Sequence, residues 1–174
     1  MTDYIALFRG INVGGRNLVP MKELVAIMED CGHENIQTYI QSGNVVFSGK
    51  SKANEQIINL IAERKGFRPE FLVLDVEEFE QAIRNNPFES AEGKAIHITF
   101  CKSRPEAVDE NRLNELKSET ERFALIDNVF YLFAPDGIGR SKLAANVERC
   151  LGVTTTSRNL NTVNKISEMV KKRA

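Results

Sequence analysis

Tyr39-Ile40-Gln41-Ser42-Gly43-Asn44-Val45-Val46-Phe47, the stretch YIQSGNVVF, decides the fold of this 174-residue chain. β-prone residues stand on both sides of Gln41-Ser42-Gly43-Asn44, whose Gly and Asn tolerate the positive φ of a tight turn. The pattern predicts a β-hairpin with strands over residues 36–40 and 45–47. In the second half, IDNVFY at 126–131 echoes SGNVVF at 42–47, so that Asn128 answers Asn44.

Working outward, residues 4–8 are a short apolar run ending in Arg9-Gly10, which reads as a buried strand emptying into a glycine-rich loop. Pro20 then opens a helix carrying Met21, Leu24, Val25 and Met28, with Gly32 as its stop. Beyond the hairpin, Ile57, Ile58 and Ile61 mark a second helix closed by Gly66, followed by a strand over 71–74. Asp75 and Glu78 have the spacing of a capping box for a helix with Val76, Phe79, Ala82 and Ile83, stopped before Pro87.

The second half repeats that order. Residues 96–101 alternate as a half-buried strand, and Ser103 to Glu106, with Pro105, resembles a helix entry. Strands over 123–126 and 129–133 are joined by Asp127-Asn128. Leu143, Ala144, Val147, Cys150 and Leu151 form a helical stripe ending at Gly152, and a short last strand is expected over 153–156. A final helix from about Asn159 carries Leu160, Val163, Ile166 and Val170, with Lys171, Lys172 and Arg173 at its negative end. Strand, helix, hairpin, helix and strand, written twice, predict an α+β fold of two ferredoxin-like (split βαβ) halves. Each has an antiparallel sheet with helices on one face, and a C-terminal helix follows. The halves divide at 1–90 and 91–174.

Acidic residues are unevenly placed. None of the 24 Asp and Glu falls in residues 4–22, 35–54, 137–147 or 151–167, which hold nine of the 23 Lys and Arg. A net charge of -1 excludes a protein that coats nucleic acid by bulk charge, so any anion preference must come from local placement. The N-terminus lacks a signal-peptide pattern and no apolar run reaches membrane-spanning length, which predicts a cytoplasmic protein without membrane association. Cys31, Cys101 and Cys150 are scattered and odd in number, as suits reduced, packed thiols.

The four segments supply the candidate ligand-binding residues. RGINVGGRN offers Arg9, Asn12, Gly14, Gly15 and Arg16, but it fits neither a dinucleotide fingerprint nor a P-loop. The hairpin tip offers Gln41, Ser42 and Asn44, whose amides and hydroxyl either satisfy local backbone or face a ligand. GIGRSK offers Arg140, Ser141 and Lys142, with Ser141 as helix N-cap and two cations where a helix dipole favours an anion. TSRNLNTVNK offers Arg158, Asn159 and Asn161 at the start of the last helix. His33 and His97 are the only histidines; no zinc spacing or nucleophile elbow appears, and His97 reads as a strand histidine with a structural hydrogen bond.

FRGINVGG, TYIQSGNVVF, GIGRSKL and TSRNLNTV, in this order along nearly the whole chain, resemble the DUF1697 family of bacterial proteins of unknown function. The resemblance implies two ferredoxin-like halves and brings no established activity, cofactor or catalytic residue. Leu160 stands where relatives commonly carry an aromatic residue.

The leading expectation is therefore a binding protein for a phosphorylated small molecule, a nucleotide or a short nucleic acid, with no cofactor. Against the nucleic-acid form stand the net charge and the lack of an RNP-like aromatic pair. The alternatives are a metal-independent enzyme acting on an anionic substrate, which lacks an evident general base, and a structural or oligomerisation protein whose polar motifs join the halves.

Overall fold

The computed structural model of the protein describes residues 1–52 and 55–173; Ala53 and Asn54, the end of the acid-free stretch 35–54, lie outside the described residues. The elements run β1 (Thr2–Arg9), α1 (Met21–Asp30), β2 (Glu34–Tyr39), β3 (Asn44–Gly49), α2 (Glu55–Lys65), β4 (Glu70–Asp75) and α3 (Val76–Arg84). After a single 3-10 turn at Gly93–Ala95 come β5 (Ile96–Cys101), α4 (Glu110–Leu116), β6 (Arg122–Ile126), β7 (Val129–Phe133), α5 (Lys142–Leu151), β8 (Thr155–Asn159) and α6 (Leu160–Lys171). Two antiparallel four-stranded sheets result, ordered β2-β3-β1-β4 and β6-β7-β5-β8, the same permutation twice. This is the duplicated split βαβ arrangement. Compact unit 1 comprises Met1–Glu80 with Ile166–Ala174, and unit 2 comprises Gln81–Lys165.

In unit 1, Leu24, Ile27 and Met28 of α1 and Ile57, Ile58 and Ile61 of α2 bury against Tyr4, Ala6, Phe8, Val45, Phe47 and Phe71 of the sheet. Each such aliphatic side chain contributes about 1.5–3 kcal/mol on burial. Ile27, rather than Val25, completes the buried stripe of α1. In unit 2, Leu113 of α4 and Leu143, Val147, Cys150 and Leu151 of α5 cover Phe130, Leu132 and Cys101 in the same manner. The opposite sheet faces are buried as well, with Ile5, Leu7 and Val46 in unit 1 and Ile96, Ile98, Phe100 and Tyr131 in unit 2. Strand β5, which alternation predicts to be half-buried, is thus covered on both sides.

The register aligns the two sheets residue by residue. Tyr4 lies opposite Phe47 and Asp75; His97 lies opposite Leu132 and Asn159. Asn44 lies opposite Leu7, and the corresponding partner of Phe100 is Val129. The echo of SGNVVF in IDNVFY is therefore off by one residue, because Asn128 belongs to the two-residue turn after β6 while Asn44 is already inside β3.

Three further expectations shift. Ser103 to Glu106 does not start a helix: α4 begins at Glu110, where the Asp109 carboxylate accepts from Arg112 N and Asp109 N is anchored on Cys150 O. The last strand occupies Thr155–Asn159 rather than 153–156, so Ser157 and Arg158 belong to a strand and not to a helix start. In the first hairpin, positive φ falls on Ile40 and Gly43, not on Asn44. The capping box appears as read: Asp75 N donates to Glu78 Oε2 at 2.8 Å and Glu78 N to Asp75 Oδ1 at 2.7 Å.

Candidate functional site

The first two acid-free segments meet in unit 1. Gly14 and Gly15, with φ of 58° and 71°, turn the chain so that Val13 and Arg16 form a β-bridge, and Arg16 N donates to Val13 O at 3.1 Å. Two successive left-handed residues demand glycine there, although a Cβ would touch nothing. Asn12 fastens this loop: its Nδ2 donates to Val19 O at 2.9 Å and to Gln41 O at 2.8 Å, and its Oδ1 accepts from Val19 N at 2.8 Å. Asn17 Nδ2 closes the base on Gly10 O, and Asn12 N donates to Asn17 O. The hairpin tip presses on the same loop. Gly43, at φ 89°, has room for no Cβ, which would stand 2.7 Å from both Ile11 Cδ1 and Phe8 Cβ.

Asn12, Asn17 and Asn44 serve the fold. Asn44 is buried, and its Nδ2 donates to Tyr39 O and Ser42 Oγ. Facing outward are Arg16 and Gln41, with the exposed glycines between Val13 and Arg16. Arg9 is exposed at the end of β1, directly opposite Glu70 on β4. Val13, Leu18 and Ile40 are exposed around the same clamp.

In unit 2 the candidate residues divide. Ser141 caps α5, its Oγ accepting from Ala144 N at 3.0 Å. The same hydroxyl donates to the carboxylate of Glu121, a buried residue whose other oxygen accepts from Ser118 N. The helix start that the sequence offers to a ligand anion therefore holds the chain's own carboxylate. Arg140 and Lys142 are both exposed beside it.

On β8, neighbouring side chains point to opposite faces. Arg158, opposite Ile98, shares a face with Tyr131, and its Nη1 donates to Ser157 O; burial brings its pKa down to about 10. Asn159, opposite His97, lies on the α4 and α5 face and caps α6 by accepting from Thr162 N at 3.0 Å. Asn161 packs on Gly93, where a Cβ would stand 2.1 Å from Asn161 Oδ1.

Asn159, Gly137 and Ile138 line a half-open hollow of about 540 Å³ with Glu92, Lys94, His97 and Asp136. The third and fourth acid-free segments thus share one wall, although two carboxylates complete it. Burial lowers the pKa of His97, which a bond to the Lys94 backbone opposes, and its Nε2 is buried without a hydrogen-bond partner. Sequence reasoning assigns His97 to structure; its even spacing in an ordinary strand carries no signal of a hollow.

The profile of a family described as "Protein of unknown function (DUF1697)" matches residues 1–131, which include the RGINVGG and QSGNVVF segments and stop short of GIGRSK and TSRNLN. A solved structure, the conserved bacterial protein SP0830 from Streptococcus pneumoniae, is 26% identical with a TM-score of 0.72. That similarity covers 97% of this chain and 98% of the other. No curated protein matches the sequence.

Proposed function

We propose, for a chain that belongs to the DUF1697 family of proteins of unknown function, a cytoplasmic ligand-binding role in which the clamped loop of unit 1 takes the phosphate of a small molecule or nucleotide. One observation carries this reading: Asn12 ties the RGINVGGRN loop to the hairpin tip at Gln41, so two segments without a carboxylate present Arg16 and Gln41 from one rigid base. A guanidinium held on a stiff turn loses little freedom on binding a phosphate, and the exposed Gly14 and Gly15 let backbone amides approach it. Cytoplasmic placement accords with three cysteines that are all free and with the absence, among the described residues, of a helix long and apolar enough to cross a membrane.

The test is a titration with inorganic phosphate, ribose 5-phosphate and AMP while the amides of Gly14, Gly15 and Arg16 are followed by NMR. Saturable shifts at these three residues are expected, weakened on the order of tenfold by Arg16→Ala and by raised salt. If these amides stay still at tens of millimolar of every probe, the loop is a structural joint and the reading is abandoned. A response to short RNA alone, steeply dependent on salt, would move the function to a polymer.

A further inference from the structure

Each sheet has two edges, and the ladders fix which backbone groups are turned outward. Cys101 N donates to Asn128 O at 2.9 Å and Ala134 N to Ala95 O at 2.8 Å, so Phe130 and Leu132 between them also turn their backbone groups toward β5. Bonded and non-bonded pairs alternate in an antiparallel ladder, so Val129, Tyr131 and Phe133 bond Ile126, Ala124 and Arg122 of β6. The amides and carbonyls of Phe123 and Leu125 therefore point away from the sheet, along an edge that no other strand covers. Among the described residues these groups have no hydrogen-bond partner.

The other edges are closed or repel their own kind. On β2 the ladder is broken between Glu34 and Gln37, and the Arg173 guanidinium donates to Asn35 O at 2.6 Å. On β8 the Thr155 amide donates to Glu148 Oε2 at 2.9 Å, and Ser157 O accepts from Arg158 Nη1 at 3.0 Å. Strand β4 has a carboxylate at each end, Glu70 and Asp75, so an antiparallel copy of it meets like charge at both ends. Strand β6 keeps an unbroken ladder, and Phe123 to Ile126 are apolar and half-buried. An edge so regular and apolar is a template for another strand.

The ends of β6 select which strand that is. Arg122 is exposed at one end and Asp127 at the other, in the turn, and among the described residues neither has an ion-pair partner. Burial and, after it, the Asp127 carboxylate push the Tyr131 phenol up to about 12; Tyr131 lies opposite Ala124, on the face that Arg122 shares, so both charges border one face. When β6 is set antiparallel against itself about Ala124, Phe123 of each copy faces Leu125 of the other, and both pairs exchange their outward N–H···O bonds. The small Ala124 meets itself on the axis. Arg122 of each copy then lies beside Asp127 of the other.

We propose that β6 is a dimerisation edge: two copies of this chain join there about a two-fold axis through Ala124, fusing their second four-stranded sheets into one, with reciprocal Arg122–Asp127 pairs fixing the register. The edge lies wholly in unit 2, so it stands or falls independently of the phosphate loop in unit 1.

The test uses the full chain in analytical ultracentrifugation over about 1 to 500 µM, a range that suits the weak association of a small edge interface. A concentration-dependent dimer is expected. Amide hydrogen exchange locates it: Phe123 and Leu125 should exchange on the order of tenfold more slowly at the highest concentration than in dilute solution, while Ala124 and Ile126, bonded to β7, stay protected at both. Arg122→Glu sets like charges side by side and should weaken the dimer on the order of tenfold without lowering the melting temperature, and Asp127→Lys should weaken it similarly. An equimolar mixture of the two variants restores opposite charges at both contacts and should dimerise as wild type does. A chain that stays monomeric throughout overturns the proposal. So does a dimer in which Phe123 and Leu125 exchange at the same rate at every concentration, which would place the interface elsewhere, or a mixture that associates no better than either variant alone.

Discussion

Ile40 holds φ at 50° in the first hairpin, a left-handed conformation that a β-branched side chain adopts only under strain, and it remains 51% exposed. Little burial offsets that strain, so Ile40→Asn should raise the unfolding free energy by about 1 kcal/mol in urea denaturation. An unchanged or lowered midpoint would mean that Ile40 makes compensating contacts. Arg173 is the opposite case, a residue near the chain end that ties distant segments together. It bonds both oxygens of Asp3, Asn35 O, Gln37 Oε1 and Ser48 Oγ. The sequence marks it only as a charge favourable to a helix end, since nothing local links position 173 to position 3. The Arg173 hydrogen bond holds Asp3 below the usual carboxylate range, against an opposing effect of burial. A folded pKa below the unfolded one gives stability that is present above about pH 4 and lost as pH falls through the folded value. Arg173→Ala should therefore cost about 2 kcal/mol at pH 7, and its gap to wild type should narrow in denaturation curves taken progressively below pH 4.

At the scale of elements, short-range rules succeed where one local pattern has no competitor. The Asp75–Glu78 box starts α3, and Gly152, at φ 71°, ends α5. The same capping rule misreads Ser103 to Glu106 because Asp109 offers a second cap nearby, and long-range anchoring on Cys150 O together with burial of Leu113 selects it. Strand β8 is displaced for a similar reason: Thr155–Asn159 gains a full ladder along β5, which its polar composition does not announce. The candidate site follows the same division. Glycines at 14 and 15 are legible from turn chemistry, whereas the Asn12 clamp to Gln41 and the Glu121 carboxylate at the start of α5 join residues far apart in sequence. Glu121→Gln keeps the shape but removes the charge that faces the positive end of α5, and should cost about 1 kcal/mol in thermal or urea unfolding. A neutral outcome would show that Ser141 caps this helix unaided.

At the scale of the molecule, repetition explains the economy of the fold: equivalent registers, equivalent helices and equivalent caps, with Asp75 ahead of α3 answered by Asn159 ahead of α6. The hydrophobic periods of both halves make this legible, but periodicity does not say to which compact unit a helix end belongs. Ile166–Ala174 counts with unit 1, where Ile166 and Val170 are buried, Ser167 Oγ donates to Glu80 Oε1 at 2.7 Å and Arg173 grips Asp3. The last turns of α6 are thus part of the first unit's stability although they follow all of unit 2 in sequence. A chain ending at Lys165 should accordingly lose protection unevenly. Amide hydrogen exchange in β1 and β3 is expected to accelerate by at least about tenfold, the equivalent of roughly 1.4 kcal/mol, while β5 and β7 change less. Equal acceleration in both sheets would mean that the chain unfolds as one cooperative body, and no acceleration in β1 and β3 would remove the C-terminal segment from the first unit.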